Sequence, residues 1–414
     1  MSRTPELKRS VSLPFIIFYG LGTMVGGGVY ALIGKVAGES GYFAPLAFAL
    51  AALIALISAF SYAELVAKYP YSSGEAHYIQ NAFKQPWLTQ IVAWAVVMMG
   101  VVSAAALTTA AAGFLGVYLT IPKFILIALT VLFLAAFAIW GIKQSVWFVS
   151  LATWVSVGGL VFVIFTADTA WSVLPARWPT LIPSSEALNA VFWLSVVNGA
   201  FLAFYAFVGF EDMVNIAEEV KDVKRTMPIA IIVCIFLTFL LYVLVSTVSV
   251  LSATPEALSQ SQSPLALIVK NNNSFMPPWL MTSISLMAVI NSALVQIIMA
   301  SRVIYGMAKL DRAPKIFENI SEKTQTPIQA TLLSAAIVLI LALAFNLTLL
   351  AKITSTLIFF VFTLVNAALI KIKLTEKFKP INLPSYPIIF PILGLLSAFS
   401  MMCVGIYAQF FSGS

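Results

Sequence analysis

The stretch Gly20-Leu21-Gly22-Thr23-Met24-Val25-Gly26-Gly27-Gly28-Val29-Tyr30 sits inside an apolar run from about Leu13 to Ile33. Such a run is long enough to cross a bilayer as a helix. Glycine costs about 1 kcal/mol against alanine at each helix-interior position, so five glycines in this run predict a helix that opens in mid-span. An opened helix leaves backbone N–H and C=O groups unpaired, which a membrane tolerates only beside protein or a wet cavity. The stretch therefore predicts a buried site made largely of backbone groups.

The rest of the chain supplies the membrane. Of 414 residues, 61% are hydrophobic and only 9% charged, against about 25% charged in a soluble domain; mean hydropathy is +0.99. This composition marks an integral membrane protein, and the length of its apolar runs reads as an all-α one. Apolar runs fall near 13–34, 43–68, 88–118, 122–141, 146–167, 190–214, 228–251, 278–307, 328–346, 349–371 and 386–411, predicting about 11 transmembrane helices. They leave no room for a separate soluble domain, so 1–414 reads as one transmembrane unit. The first run lacks a small-residue cleavage site and reads as a span, not a removed signal.

Charge orients the spans. With eleven crossings, seventeen Lys and Arg fall on the N-terminal side and five on the other. That bias predicts a cytoplasmic N-terminus, an outer C-terminus and the cytoplasmic membrane as location. The net charge of +7 is thus a topology signal and not a nucleic-acid footprint. Cys234 and Cys403 both lie in apolar runs and His77 is the one histidine, which argues against a disulfide framework, a metal site or His-based catalysis. No enzyme, cofactor or metal is expected, and no P-loop suggests ATP drive. The link from Lys68 to Gln85 reads as a cytoplasmic loop with a turn at Tyr71–Gly74. The segments Thr169–Leu188 and Ser252–Pro278 read as outer lids or plain connections.

Span six carries a second anomaly, Asn198-Gly199-Ala200-Phe201-Leu202-Ala203-Phe204-Tyr205-Ala206-Phe207-Val208-Gly209-Phe210-Glu211-Asp212. Spans one and six are five apart, and an odd offset reverses their direction across the bilayer. Two interrupted helices at corresponding places in oppositely oriented halves mark a solute site. Open half-helices offer N–H groups of partial positive charge and carbonyls of partial negative charge, and glycine admits a close ligand. A zwitterion such as an α-amino acid needs both.

These motifs resemble the amino acid–polyamine–organocation permease superfamily, most closely its bacterial amino acid permease and cationic amino acid transporter-like branch. Three patches carry the resemblance: Gly22–Tyr30, the run from Phe204 through Ala217-Glu218-Glu219-Val220-Lys221 to Pro228, and Ser301–Ala308; Tyr62–Leu65 and Gly141–Lys143 are weaker matches. The resemblance implies a 5+5 inverted-repeat core with broken first and sixth helices, here 13–167 and 190–371, plus an additional C-terminal helix at 386–411. It implies secondary transport of amino acids by alternating access, through proton symport or exchange. It implies that the substrate carboxylate binds the N–H groups of Gly26, Gly27 and Gly28, beside Thr23. The amino group would take carbonyls near Met24, Tyr205 and Val208, next to Ala206, with Phe204, Tyr205 and Phe207 as gates or pocket walls. Many proton-coupled relatives carry a lysine in span five; that place here is Ser156.

Neutral or broad specificity is expected, because a cationic side chain would need a clear acidic partner beyond Glu211. Cationic amino acids or polyamines are the alternative, as is a sensor that binds without transporting. Glu211, an acid deep in a span that needs a partner or a cavity, reads either as a coupling or gating group or as a structural hydrogen-bonding one. Asp212, about 100° further around a helix, is expected to point elsewhere. Arg302 either snorkels to the interface or latches the inner side against Glu64, Glu218 or Glu219. Asn291, Ser292 and Gln296 either line the cavity or bond between helices.

Overall fold

The computed structural model describes residues 11–70, 74–140, 142–183, 189–321, 323–376 and 383–410; side chains of 142–149, 215 and 408–410 are not described. Regular structure among these residues is helical apart from one isolated bridge, Val11 with Val220. The turn expected at Tyr71–Gly74 lies mostly outside the described residues.

The first span is two helices, α1 (Leu13–Met24) and α2 (Gly27–Ser40). Pro14 starts α1, where its missing N–H costs nothing. The helix closes with Val25 N–H on the Leu21 carbonyl at 2.6 Å. Val25 and Gly26 then leave helical geometry, at φ −81°, ψ 51° and φ −113°, ψ −131°. After a short 3₁₀ turn come α3 (Ala44–Lys68), α4 (Gly74–Phe83), α5 (Pro86–Leu115), α6 (Lys123–Trp140), α7 (Ile142–Phe165) and α8 (Asp168–Leu181).

The sixth span begins as α9 (Ala190–Ala203), with the Asn189 side chain accepting from Phe192 N–H at 2.9 Å. It tightens to a 3₁₀ turn over Phe204–Phe207, opens at Val208 and Gly209, and resumes as 3₁₀ helix over Glu211–Glu219. The chain continues through α10 (Val223–Ser252), α11 (Pro255–Gln260), α12 (Pro264–Asn271), α13 (Pro278–Lys309), α14 (Ile328–Ala344), α15 (Leu347–Thr375) and α16 (Ile389–Phe410).

Among the described residues each of the eleven expected stretches holds helix, interrupted in the first and the sixth. Eight helices among the described residues are long and apolar enough to cross a membrane, or nine counting α7 and α8 as one span bent by 59°. The difference from eleven has local causes: α1 is too short because its span is broken, α2 runs into α3, and α14 has only 17 residues. The connections are more ordered than expected. Segment 168–181 is α8, with Pro175 and Pro179 inside it, and 252–278 holds α11 and α12. The Lys68–Gln85 link folds as α4, packed against α5 and α15.

Packing follows an offset of five spans. The first span meets the sixth through α2 and α9, the second meets the seventh through α3 and α10, and the third meets the eighth through α5 and α13. Around the sixth-span break, α15 supplies an aromatic bed. Phe204 lies 4.2 Å from Phe359 between ring centroids, and Phe210 sits 5.3 Å from Phe362 and 5.5 Å from Tyr62 of α3. Cys234 and Cys403 are free thiols.

Candidate functional site

The two breaks meet. A Cβ on Gly28 would stand 2.6 Å from the Ala206 Cα, so the backbones of spans one and six touch there and only glycine fits. Gly209 has φ of +126°, and its own Cβ would stand 2.7 Å from the Thr23 carbonyl carbon. Thr23 completes the joint: its hydroxyl lies 2.9 Å from the Gly20 carbonyl and 3.0 Å from the Gly209 carbonyl.

Backbone groups freed by the breaks find partners on other helices. The Gly27 N–H donates to Ser292 Oγ of α13 at 2.7 Å. The Tyr242 hydroxyl of α10 lies 2.7 Å from the Met24 carbonyl and 2.9 Å from the Ala206 carbonyl, bridging one orphaned acceptor from each break. The Gly209 N–H donates to Glu211 Oε2 at 2.9 Å. The Tyr205 hydroxyl is 3.0 Å from both the carbonyl and the hydroxyl of Ser103 on α5.

Between the breaks lies a cavity of about 20 Å³, room for about one water. Thr23, Met24, Gly28, Tyr205, Ala206 and Val208 line it, together with Gly22, Ser103, Leu107, Ser292, Val295 and Gln296. None of these twelve residues is charged. Two larger cavities flank it. One of about 340 Å³ is lined by Lys35, Thr109, Lys123, Gln262 and Asn346 among others. The other, about 450 Å³, is lined by Phe15, Tyr19, Ala138, Glu219, Val295 and Arg302 among others. Lys123 opens α6 and Ala138 lies near its end, about 22 Å along the axis. The larger cavities therefore sit at opposite ends of the bundle, and Val295 is shared by the central and the 450 Å³ cavity.

Other expected site residues lie elsewhere. Gly26 and Gly27 do not line the cavity; an added Cβ at Gly26 would overlap Ser292 Oγ, and one at Gly27 would press on Leu107 and Val289. Phe204 faces Phe359, and Phe207 faces Tyr242 at 5.0 Å, so both are buried in aromatic packing away from the cavity. Glu64 is not latched to Arg302: it pairs with Lys373 of α15 at 2.7 Å and accepts the Tyr386 N–H at 2.9 Å. The side chain that reaches Glu64 comes from the neighbouring tenth span, 309 positions away in sequence. Arg302 is exposed and lines the 450 Å³ cavity with Glu219, without an ion pair among the described residues.

Glu211 and Asp212 do point differently, one to Gly209 and the other to Gln296, whose Nε2 lies 3.3 Å from Asp212 Oδ2. Ser292 and Gln296 line the cavity and also bond across helices, whereas Asn291 is fully buried with neither side-chain polar atom partnered. At the span-five place, the Ser156 carbonyl accepts from the Tyr30 hydroxyl at 2.5 Å. Tyr242 and Ser103 escaped the sequence reading. A lone tyrosine in mid-span was the signal for the first; Ser103, in a run of small residues, gave none.

Paired breaks, a central cavity and larger cavities at each end are set among the long apolar helices of a multi-pass membrane protein. The family model described as amino acid permease matches residues 11–413, and the chain belongs to that family. It is similar to the cationic amino acid transporter 2, vacuolar, of Arabidopsis thaliana, 26% identical over 382 residues, covering 87% of this chain and 59% of the relative. An uncharacterised transporter of Mycobacterium bovis is 30% identical over 163 residues, 39% of this chain and 35% of that protein. The human cationic amino acid transporter 4 is 32% identical over 111 residues, 27% of this chain and 17% of that one. The chain thus spans less than two thirds of the length of each.

Proposed function

We propose that this protein is a secondary transporter that moves amino acids across the cytoplasmic membrane by alternating access, through proton symport or exchange. The observation that carries the reading is the joint itself: two opened spans closed on each other around a small cavity, between larger cavities at opposite ends. In this reading 13–167 and 190–371 are the two inverted repeats, and the five-span packing offset supports that division. The N-terminus is cytoplasmic in this scheme.

A cavity sized for about one water represents the site closed. Opening it releases Gly27 N–H from Ser292 and the Met24 and Ala206 carbonyls from Tyr242. Those groups then meet the substrate carboxylate and ammonium. Uncharged lining residues favour neutral or broad specificity. Cationic substrates form a second reading, favoured by Asp212, which stands one hydrogen bond behind the cavity residue Gln296.

Uptake into proteoliposomes across a panel of neutral and cationic amino acids, with and without a pH gradient, tests both. Accumulation or exchange of any of them is expected. Measurable binding without transport of a single amino acid would instead make the protein a sensor.

A further inference from the structure

Behind the sixth-span break the fold gathers three carboxyl groups, none of which lines the central cavity. Glu75 comes from α4, outside the spanning helices, while Glu211 and Asp212 come from the resumed sixth span; they are 4%, 1% and 5% exposed. The chain carries 23 Lys and Arg against 16 Asp and Glu, yet none of its ion pairs among the described residues involves these three. Neighbouring carboxylates without a cation cannot all stay charged in a space closed to water. Such a cluster must take up positive charge.

The kind of positive charge follows from the geometry. Among the described residues no acids converge as a metal's ligands would. The oxygens point apart instead: Glu75 Oε1 to the Tyr62 hydroxyl at 3.3 Å, Glu211 Oε2 to Gly209 N–H, and Asp212 Oδ2 to Gln296. Around these three acids, two fully buried oxygens have no hydrogen-bond partner among the described residues: Glu211 Oε1 and the hydroxyl of Tyr78, which sits within electrostatic reach of Glu75. Dispersed, singly bonded carboxyls with spare hydroxyl and carboxyl oxygens suit protons.

We propose that Glu75, Asp212 and Glu211 together form the proton-binding site of this transporter, with Glu75 of α4 as the acid that completes it. The proposal rests on the transport reading. Burial first, and the Asp212 charge second, push the Glu75 carboxyl up to about 7, so it changes charge in the range where a cell's pH gradient operates. The groups facing it are Asp212 and Glu211 from span six, Tyr62 from α3 and Tyr78 on α4. His77 of α4 meets the Tyr69 ring edge-on, 6.0 Å between centroids. The other helices packed on α4 contribute Lys371, held 4.6 Å above the Phe83 ring, and the neutral Gln80–Thr89 pair of α4 and α5.

The cluster is wired to both breaks. Glu211 holds Gly209 N–H, and the Gly209 carbonyl takes the Thr23 hydroxyl of the first break. Asp212 holds Gln296, which lines the central cavity. A proton delivered by water converts a carboxylate oxygen from acceptor to donor, which rewrites these bonds and favours one side of the alternation.

Glu75→Gln in purified, reconstituted protein tests this, with Glu75→Asp as a variant that keeps the acid. In liposomes, Glu75→Gln should cut pH-gradient-driven accumulation by about tenfold or more while substrate counterflow continues, and Glu75→Asp should retain part of the driven uptake. Infrared titration without substrate should show a protonated-carboxyl band at neutral pH that shrinks in Glu75→Gln. An unchanged band, unchanged pH-driven uptake, or accumulation driven equally by a sodium gradient would each overturn the proposal. A wild-type protein that moves no amino acid while the band still responds overturns the transport reading and leaves the proton site standing.

Discussion

The two breaks solve the same problem with different chemistry. The first is closed by absence of side chains: Gly28 lets Ala206 approach, and the freed Gly27 N–H goes to a serine on another helix. Among the described residues no carboxylate, lysine or arginine bonds to Met24, Val25, Gly26 or Gly27. The second needs one glycine in the left-handed region, Gly209, and closes its N–H on its own carboxylate, Glu211, backed by Asp212 and Glu75. The contrast teaches a division of labour: the first break is shaped for contact with main-chain groups, and the second carries the titratable charge.

The largest expected effect separates them by backbone alone. Gly209→Ala forces a side chain into φ of +126° and against the Thr23 carbonyl carbon at 2.7 Å. Strain of that kind costs about 1–3 kcal/mol, and the clash with backbone adds to it. Transport should vanish and the thermal midpoint in detergent should fall. Normal uptake by this variant would remove Gly209 from the joint.

The next effect belongs to the charged side alone. Folded Glu75 takes its proton at about 7 against an ordinary 4.5, through burial and then Asp212. Between those values the folded chain holds more protons than the unfolded one, so stability falls as pH rises through the window and stays low above it. The difference for this group is on the order of 3 kcal/mol at most. Thermal denaturation from mildly acidic to alkaline pH should show that decline in wild type and a flatter profile in Glu75→Gln. Identical slopes would mean the acid carries no such penalty.

Tyr242→Phe acts on both breaks at once, because its hydroxyl serves the Met24 and the Ala206 carbonyls. Loss of that hydroxyl should cost about 1–2 kcal/mol of stability. The apparent substrate affinity should change in the same variant, since the freed carbonyls are the groups assigned to the ammonium. A change in stability with affinity untouched would move the ammonium site elsewhere.

How these features stood in the sequence follows the same division. The first break was legible because five glycines in a membrane-length run contradict a continuous helix, and Thr23, Met24 and Gly28 came with it. An aromatic beside a break reads as a gate or pocket wall; in this closed arrangement Phe204 packs on Phe359 of α15 and Phe207 on Tyr242 of α10, partners that no local pattern announces. Glu64 found Lys373 for a similar reason, since periodicity reports that a side chain is buried and not what it is buried against. Glu75 sat in an apparent loop; only the folding of α4 against α5 and α15 takes it out of water. Long-range partners such as Tyr242 and Ser292 are set by the register between helices, which no single segment encodes.

The smallest expected effect asks whether the breaks communicate. Thr23, itself part of the first break, bonds the main chain on both sides of the joint, and Glu211 holds the same residue, Gly209, from behind. Thr23→Val removes the hydroxyl at nearly constant volume, and Glu211→Gln removes the charge while keeping an acceptor for Gly209 N–H. Alone, Thr23→Val should cost about 1 kcal/mol, and Glu211→Gln should flatten the pH dependence of transport more than it weakens substrate binding. Together they should deviate from additivity by about 0.5–1 kcal/mol, because each bond orients the Gly209 peptide that the other uses. A double-mutant cycle in thermal stability, repeated with uptake rates, measures that term. Additive behaviour in both would mean that the contact-making break and the charged break work independently, and that protonation reaches the substrate site through Gln296 instead.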